Sequence, residues 1–167
     1  KFGAVKGIAY DIEKAGIKDD LIIIAGDNFF TFNLSGLKNR FSKLDKPAII
    51  AYNFGSKEKA KRFGVVRLAK DGTIKEFEEK PEKPKSTLIS TGIYFMPVQY
   101  LGKVKEYTSS VENADDIGNF IKWLNAETRV RAIVPASGEW FDIGTLDGYR
   151  EIFMKQNGLD KKKRDKN

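Results

Sequence analysis

Four short segments of the sequence carry side chains that could bind a phosphorylated ligand and a metal ion. The first is Gly26-Asp27-Asn28, which directly follows an apolar, β-branched run at residues 21–25. Such a run is typical of a buried strand in a parallel sheet, and open α/β sheets bind ligands beyond the carboxyl ends of their strands. Asp27 is therefore a candidate ligand-binding carboxylate, although a turn or a helix cap would use the same residues.

The second segment pairs an acid with a base at the end of a predicted hairpin. Glu79 and Lys80 precede Pro81, whose ring fixes the backbone where both side chains leave the strand. A carboxylate at this point can accept hydrogen bonds from sugar hydroxyls, and an ammonium group can neutralise a phosphate. A solvated run of charges on an exposed strand would show the same pattern.

The third and fourth segments place a glycine and an aspartate in apolar surroundings. Ser90-Thr91-Gly92 lies within a strand, where a glycine marks either the close approach of a ligand or a packing accommodation. Asp142 follows Trp140 and stands among aromatic and aliphatic residues. Because an unpaired carboxylate is costly there, we expect a metal ion or another cation to compensate its charge.

The amino-acid composition restricts which metal and which reaction are possible. The 167 residues include no cysteine and no histidine. This excludes disulfides, thiolate and imidazole ligation of zinc, a cysteine nucleophile and a Ser-His-Asp triad. Any metal must be held by oxygen atoms, which favours a hard cation such as Mg²⁺.

Hydrophobic periodicity predicts the elements that position these side chains. A helix is predicted from residue 4 to 15 and ends at Gly16. Further helices are predicted at 34–44, 98–107, 116–126 and 146–156, the last with Ile152 and Phe153 on its inner face. Strands are predicted at 21–25, 47–54, 88–96, 129–134 and 140–143, and Asp71-Gly72 joins strands 65–69 and 74–79 in a hairpin.

The order of these elements predicts one α/β domain. Strand 21–25, the helix after it and strand 47–54 indicate a right-handed parallel crossover. The whole is expected to form a mixed, mostly parallel sheet with helices on both faces and a β-hairpin insertion.

Together the four segments resemble the sugar-1-phosphate nucleotidylyltransferase family, and within it the glucose-1-phosphate thymidylyltransferases and mannose-1-phosphate guanylyltransferases. The resemblance rests on four stretches in the family's order and at compatible spacing: LIIIAGDNFF, RFGVVRLAKDGTIKEFEEKPEKPKS, STGIYFMP and GEWFDIGTLDGY. It extends to about residue 156 and implies a Rossmann-like nucleotidyltransferase fold. It also implies the family's reaction, in which a nucleotidyl group passes from a nucleoside triphosphate to a sugar 1-phosphate and pyrophosphate is released.

The resemblance further implies roles for ten residues. Asp27 and Asp142 match the two aspartates that hold Mg²⁺, and with Lys80 they are the expected catalytic residues. Gly3 matches the end of the segment that reads the nucleotide base. The remaining matches are residues that contact the sugar phosphate or line its pocket: Gly64, Glu79, Lys80, Ser90, Thr91, Gly92 and Trp140.

The sequence departs from the family at the triphosphate-binding loop. Family members open with a loop of the form G-x-G-T-x-L-x-P-x-T, and no two glycines of this chain have G-x-G spacing. We therefore expect residues 1–156 to be the C-terminal two-thirds of a nucleotidyltransferase domain that is incomplete at its N-terminus and inactive alone. The alternative is a non-catalytic or regulatory homologue that keeps the fold and the sugar-phosphate half-site. Residues 142–145 also resemble the phosphate-binding start of actin-like ATPases, but there the motif leads into a hairpin and here into a helix.

Charge and hydropathy bear on partners and location. The formal net charge is +7, but residues 161–166 contribute five positive charges and one negative charge. We interpret residues 157–167 as a charged, disordered tail and expect no nucleic-acid partner. No apolar run approaches the roughly 20 residues that span a bilayer, and no signal peptide is evident, so a cytoplasmic protein without a membrane partner is expected. Apolar surface left open by a missing N-terminal part would favour a homo-oligomer.

Overall fold

The computed structural model describes residues 3–158, which contain six α-helices and eight strands. In chain order these are α1 (Ala4–Ala15), β1 (Leu21–Ile24), β2 (Asn28–Phe30), α2 (Leu34–Phe41), β3 (Ala48–Asn53), α3 (Lys57–Ala60), β4 (Gly64–Leu68), β5 (Ile74–Glu79), β6 (Leu88–Met96), a 3₁₀ turn (Val98–Tyr100), α4 (Leu101–Ser110), α5 (Ile117–Thr128), β7 (Arg131–Ile133), β8 (Trp140–Asp142) and α6 (Leu146–Gln156). The strands form a six-stranded sheet and a separate two-stranded sheet of β2 and β8.

The long strand β6 organises the six-stranded sheet. One of its edges pairs antiparallel with β3 over most of its length. Its other edge is shared, because β1 pairs with residues 93–96 and β4 pairs at Ile89. The hairpin partner β5 extends the sheet beyond β4, and β7 extends it beyond β3.

The sheet is mixed, as predicted from the sequence. Strands β1, β3, β4 and β7 run in one direction, and β5 and β6 run in the other. The predicted crossover does join two strands of the same direction through α2, but β6 lies between them. Within residues 3–158, only β3 and β7 therefore pair as parallel neighbours. Local periodicity does not reveal the insertion because β6 comes from later in the chain.

Alternate residues of the central strands face two separate cores. In β3, Ala48 and Ile50 pack on one side, and Ile49 and Ala51 pack on the other. The core that contains Ile49 is closed by α1, α4 and α5, and the core that contains Ala48 is closed by α2 and α3. Helices therefore cover both faces of the sheet, as predicted.

Two of the elements, β2 and α3, were not predicted from the sequence.

Two predictions of burial were wrong. Strand β1 was expected to be buried on both faces, but its residues are only partly buried and Ile24 is 42% exposed. Among the described strands, β1 pairs only with β6. In α6, Ile152 is buried but Phe153 is 51% exposed. Ile152 is the only buried residue of α6, so the buried face of this helix is too narrow to include Phe153, which lies about 100° further round the helix axis.

Most of the predicted tail, residues 159–167, lies outside the described part of the chain. Within residues 3–158, no helix combines the length and the hydropathy that crossing a membrane requires.

The core position of Ile93 gives a stability prediction. Ile93 lies in β6 and is 0% exposed. We expect Ile93→Val to lower the free energy of unfolding by about 1 kcal/mol and Ile93→Ala by about 2–5 kcal/mol, because lost methyl groups leave a cavity. Urea unfolding measures both changes. Val98, which is 43% exposed, is the control, and Val98→Ala should change the same quantity by less than about 0.5 kcal/mol. Losses at position 93 as small as at position 98 would contradict this packing.

Candidate functional site

A cavity of about 310 Å³, here called the site cavity, opens where the shared edge of β6 passes from β4 to β1. Ala25 follows β1 and donates its backbone N–H to the carbonyl of Gly92 at 3.0 Å. Gly92 adopts a φ of +79°, which glycine tolerates without strain. Nine of the ten residues singled out in the sequence line the cavity: Asp27, Gly64, Glu79, Lys80, Ser90, Thr91, Gly92, Trp140 and Asp142.

The small β2–β8 sheet brings the two aspartates to the same place. Asn28 pairs with Asp142 in the antiparallel register of the two strands. Beyond the last pair, Ile143 donates its N–H to the carbonyl of Asp27 at 2.9 Å. Two residues far apart in the sequence are thus held side by side by backbone hydrogen bonds.

Gly144 shows how close the two carboxylates are. A methyl group added at Gly144 would lie 2.9 Å from Oδ2 of Asp27 and 3.1 Å from Oδ1 of Asp142. These oxygens can therefore be no more than about 6 Å apart, and two oxygen ligands of one Mg²⁺ lie up to about 4 Å apart. The two carboxylates are therefore near enough to each other to be candidate ligands of one ion.

The donor set fits Mg²⁺ better than a cation that needs a cage of protein ligands. Within residues 3–158, no cluster of three or more acidic residues suits a metal ion. Mg²⁺ is commonly bound through one or two carboxylates, with phosphate oxygens and water as its remaining ligands. A pair of carboxylates at the wall of a cavity meets that requirement.

Trp140 and Asn28 fix the backbone around Asp27. The indole Nε1 of Trp140 donates to Oδ1 of Asn28, and the amide of Asn28 donates to the carbonyl of Ala25 at 2.9 Å. Trp140 is 5% exposed, and its ring meets that of Phe63 edge to face at 5.3 Å. Trp140 and Asp142 both line the site cavity.

Glu79 lies between its strand and the first turn of α5. It pairs with Gly64 in the hairpin register, and a methyl group added at Gly118 would lie 1.9 Å from its Oε2. Burial raises the pKa of Glu79, and the nearby Asp116 carboxylate raises it further. Lys80, whose Nζ lies 3.4 Å from Oε1 of Glu79, opposes both effects only in part.

Lys80 has a left-handed backbone. Its φ is +44°, and its N–H donates to the carbonyl of Phe63 at 3.1 Å. This conformation costs roughly 1–2 kcal/mol for a residue with a side chain. Strain of this kind persists where surrounding structure enforces it, and it is concentrated at ligand sites.

The floor of the cavity consists of Ser90, Thr91 and Gly92. The Thr91 hydroxyl donates to the carbonyl of Ile50 at 2.9 Å, so it has a structural partner. The Ser90 hydroxyl is buried and has no hydrogen-bond partner of normal length within the described residues. Burial raises the pKa of the nearby Tyr94 phenol, and Ser90 opposes this only in part. A buried hydroxyl in need of a partner is what a ligand with hydroxyl groups would satisfy.

Gly3 does not line the site cavity. It caps the start of α1, and its Cα faces Asp115, whose Cβ would lie 2.2 Å from an added methyl group. The segment after Asp115 reaches the cavity through Ile117 and Gly118.

Several lining residues were not identified from the sequence, among them Arg62, Phe63 and Gly118. The Arg62 guanidinium lies 3.5 Å from Oδ2 of Asp142. Arg62 and Phe63 stand in the RFG stretch directly before Gly64, which is the only signal that could have identified them. A second cavity of about 400 Å³ adjoins the first and shares Arg62, Phe63, Trp140 and Asp142 with it.

Comparisons with known proteins bear on the family of this chain and on its fold. The sequence profile of the family described as Nucleotidyl transferase matches residues 1–158. The chain is 34% identical over 139 residues to the glucose-1-phosphate adenylyltransferase of Acetivibrio thermocellus, covering 80% of this chain and 32% of that one. It is 33% identical over 147 residues to the enzyme of the same name from Clostridioides difficile, covering 84% and 38%. The chain thus spans about a third of the length of these curated relatives.

A solved structure shares the fold. It is that of a Bacillus anthracis protein assigned as a glucose-1-phosphate thymidylyltransferase, in complex with a sucrose. The TM-score is 0.76 at 22% sequence identity, and the match covers 95% of this chain and 62% of that one.

The surroundings of Glu79 predict how stability depends on pH. Because the folded state raises its pKa above the ordinary 4.5, ionised Glu79 destabilises the fold at neutral pH, and the penalty disappears below pH 4.5. Glu79→Gln should therefore unfold at higher urea than the wild type at pH 7, and the difference should shrink as the pH falls. Exposed Glu82, changed to Gln, is the control and should show no such trend. A difference that does not vary with pH would contradict the burial of this carboxylate.

The contact between Gly118 and Glu79 gives a second prediction. Gly118→Ala should displace the Glu79 carboxylate into water, so the pH-dependent effect of Glu79→Gln on stability should disappear in the Gly118→Ala background. Gly102 in α4 is the matched control, because nothing lies within 4 Å of a methyl group added there. Gly102→Ala should stabilise the helix by about 0.5–1 kcal/mol and leave the pH dependence intact. Unfolding curves at several pH values measure both, and an unchanged pH dependence in Gly118→Ala would refute the contact.

Proposed function

The chain belongs to the nucleotidyl transferase family, and we propose that in the full-length protein it transfers a nucleotidyl group from a nucleoside triphosphate to a sugar 1-phosphate, releasing pyrophosphate. The observation that carries this proposal is the convergence of Asp27, Asp142 and Lys80 on one cavity. Two carboxylates and an ammonium group are what a metal ion and a sugar phosphate require when they bind side by side.

Mg²⁺ is the proposed cofactor, and Asp27 and Asp142 are the residues that would hold it. When bound, the ion would neutralise phosphate oxygens and lower the cost of bringing two anionic substrates together. The distances around Gly144 support this pairing of carboxylates.

The other residues of the cavity would bind and orient the sugar phosphate. Lys80 would neutralise the phosphate, and its fixed backbone reduces the entropy lost when its ammonium group is held in place. Glu79 would accept hydrogen bonds from sugar hydroxyls, and the buried Ser90 hydroxyl would bond to another. Gly64 and Gly92 allow the cavity wall to pack closely, because a methyl group at Gly64 would lie 2.5 Å from the Phe77 ring and one at Gly92 would lie 3.1 Å from the side-chain nitrogen of Asn28.

Positioning is sufficient for the proposed reaction. An oxygen of the sugar phosphate attacks the α-phosphorus in line, and the bond from that phosphorus to the β-phosphate breaks with its electron pair leaving on pyrophosphate. The attacking oxygen is already ionised at neutral pH, so no general base is needed. This agrees with a chain that contains no histidine.

A non-catalytic homologue that retains the sugar-phosphate half-site is the second candidate. It would use the same lining of the site cavity to bind a sugar phosphate without turnover. The sequence encoded upstream of Lys1 distinguishes the two, because a G-x-G-T-x-L segment there supplies the triphosphate loop.

The comparisons suggest a sugar to test first, but they do not agree on the base. The names of the curated relatives and of the structural neighbour share glucose 1-phosphate but differ in the base, adenylyl for the former and thymidylyl for the latter. We propose glucose 1-phosphate as the first sugar to test, against a panel of nucleoside triphosphates and with mannose 1-phosphate as the comparison.

The proposed pairing of Asp27 and Asp142 on one Mg²⁺ predicts the effect of removing one carboxylate. In the full-length protein, Asp142→Asn or Asp27→Asn should lower turnover while the fold stays intact. The loss of transition-state stabilisation should be on the order of 3 kcal/mol or more. Pyrophosphate release measures turnover, and circular dichroism checks the fold. Exposed Asp19, changed to Asn, is the control and should keep wild-type activity. Near wild-type pyrophosphate release by Asp142→Asn would refute the assignment.

A further inference from the structure

Arg62 is the cation closest to the aspartate pair, and the proposed function leaves it without a role. It lies in the short connection between α3 and β4 and lines both the site cavity and the adjoining cavity. Its Nη2 lies 3.5 Å from Oδ2 of Asp142, and its guanidinium lies 5.8 Å from the centre of the Phe63 ring. It can therefore act on whatever Asp142 binds.

The contact between Arg62 and Asp142 is loose. A charge-assisted hydrogen bond between an arginine and a carboxylate has a length of about 2.7–2.9 Å, well below the distance found here. The side chain of Arg62 is 54% exposed, whereas that of Asp142 is 21% exposed. The other carboxylate oxygen of Asp142 already accepts the Gly144 N–H at 3.0 Å. Arg62 is thus the weaker of two partners and can leave without disturbing the backbone.

The charges of the site cavity give Arg62 a second possible partner. The lining carries three carboxylates and two cations, the second cation being Lys80. Once a divalent ion neutralises the carboxylates, Arg62 loses its attraction to Asp142. A phosphate in the cavity is then a better partner for Arg62, because the planar guanidinium can bond to two phosphate oxygens at once.

On this basis, and resting on the proposed function, we propose that Arg62 exchanges partners. It pairs with Asp142 while the metal ion is absent, and it binds the phosphate of the sugar 1-phosphate when the ion is present. Arg62 therefore competes with the metal for Asp142 and cooperates with it in binding the phosphate. A surface arginine that only packs on Phe63 would do neither.

The two halves of this proposal predict affinity changes of opposite sign. In the full-length protein, Arg62→Gln should bind Mn²⁺ alone roughly two- to fivefold more tightly, because a competing ion pair is removed. With Mn²⁺ saturating, the same variant should bind glucose 1-phosphate roughly tenfold more weakly, because a charged hydrogen-bond donor is lost. Electron paramagnetic resonance of Mn²⁺ measures the first affinity, and titration calorimetry measures the second.

Two further variants separate this role from a structural one. Arg62→Lys keeps the charge without the planar fork, so it should retain most of the competition with Mn²⁺ and only part of the phosphate affinity. Arg67→Gln is the matched control, because Arg67 is similarly exposed, pairs with Glu76 at 2.9 Å and lines neither cavity. Neither affinity should change in that variant.

The outcomes distinguish this inference from the proposed function. If the wild type binds Mn²⁺ and glucose 1-phosphate, and Arg62→Gln leaves both affinities unchanged or weakens both, the role of Arg62 is overturned. The proposed function is not affected by that result. Failure of the folded wild-type chain to bind Mn²⁺ and glucose 1-phosphate would overturn the proposed half-site, and the role of Arg62 with it.

Discussion

The pairing of β2 with β8 is the constraint on which the candidate site depends. Neither strand exceeds three residues, and together they form a sheet separate from the main one. Their register places Asn28 opposite Asp142, and the bond from Ile143 to Asp27 continues it. Gly144 then leaves the space between the two carboxylates open. Without this ladder the aspartates would belong to unrelated loops.

The rest of the cavity follows from how one long strand is shared. Because β1 and β4 each pair with only part of β6, the sheet has an opening at Ser90–Gly92 instead of a continuous edge. The hairpin brings Glu79 and Lys80 to one side of this opening, and the small Gly118 lets the Glu79 carboxylate reach the first turn of α5. Glu79 with Lys80, Asp27 and Asp142 thus come from three separate segments that the main sheet and the small sheet hold in register.

Long, strongly patterned elements could be predicted from the sequence, and short non-local ones could not. The bounds of α1, β6 and α6 match their predictions, because each carries enough residues for a periodicity and ends at a glycine, a proline or a cap. Three-residue β2 carries no measurable period, although the aromatic residues after Asn28 favour a strand. The insertion of β6 between β1 and β3 depends on pairing between strands that are distant in the sequence, and local periodicity does not predict such pairing.

The same distinction applies to the site. Asp27 and Asp142 could be singled out because carboxylates beside buried strands are chemically conspicuous, and the resemblance assigned them a shared ion. Arg62 was missed because an arginine in a charged loop is unremarkable until its neighbour is known. Gly118 was missed because its contribution is the absence of a side chain, which becomes visible only when Glu79 is found against it.

The bond between Trp140 and Asn28 joins residues that are 112 positions apart. Contacts of such long range are costly to form early, because the intervening chain must lose its freedom first. During synthesis the first carboxylate leaves the ribosome long before the second exists, and nearly the whole domain is made in between. The two sides of the cavity therefore cannot meet until Asp142 has been made, and a chain interrupted before that residue contains only one of the two carboxylates.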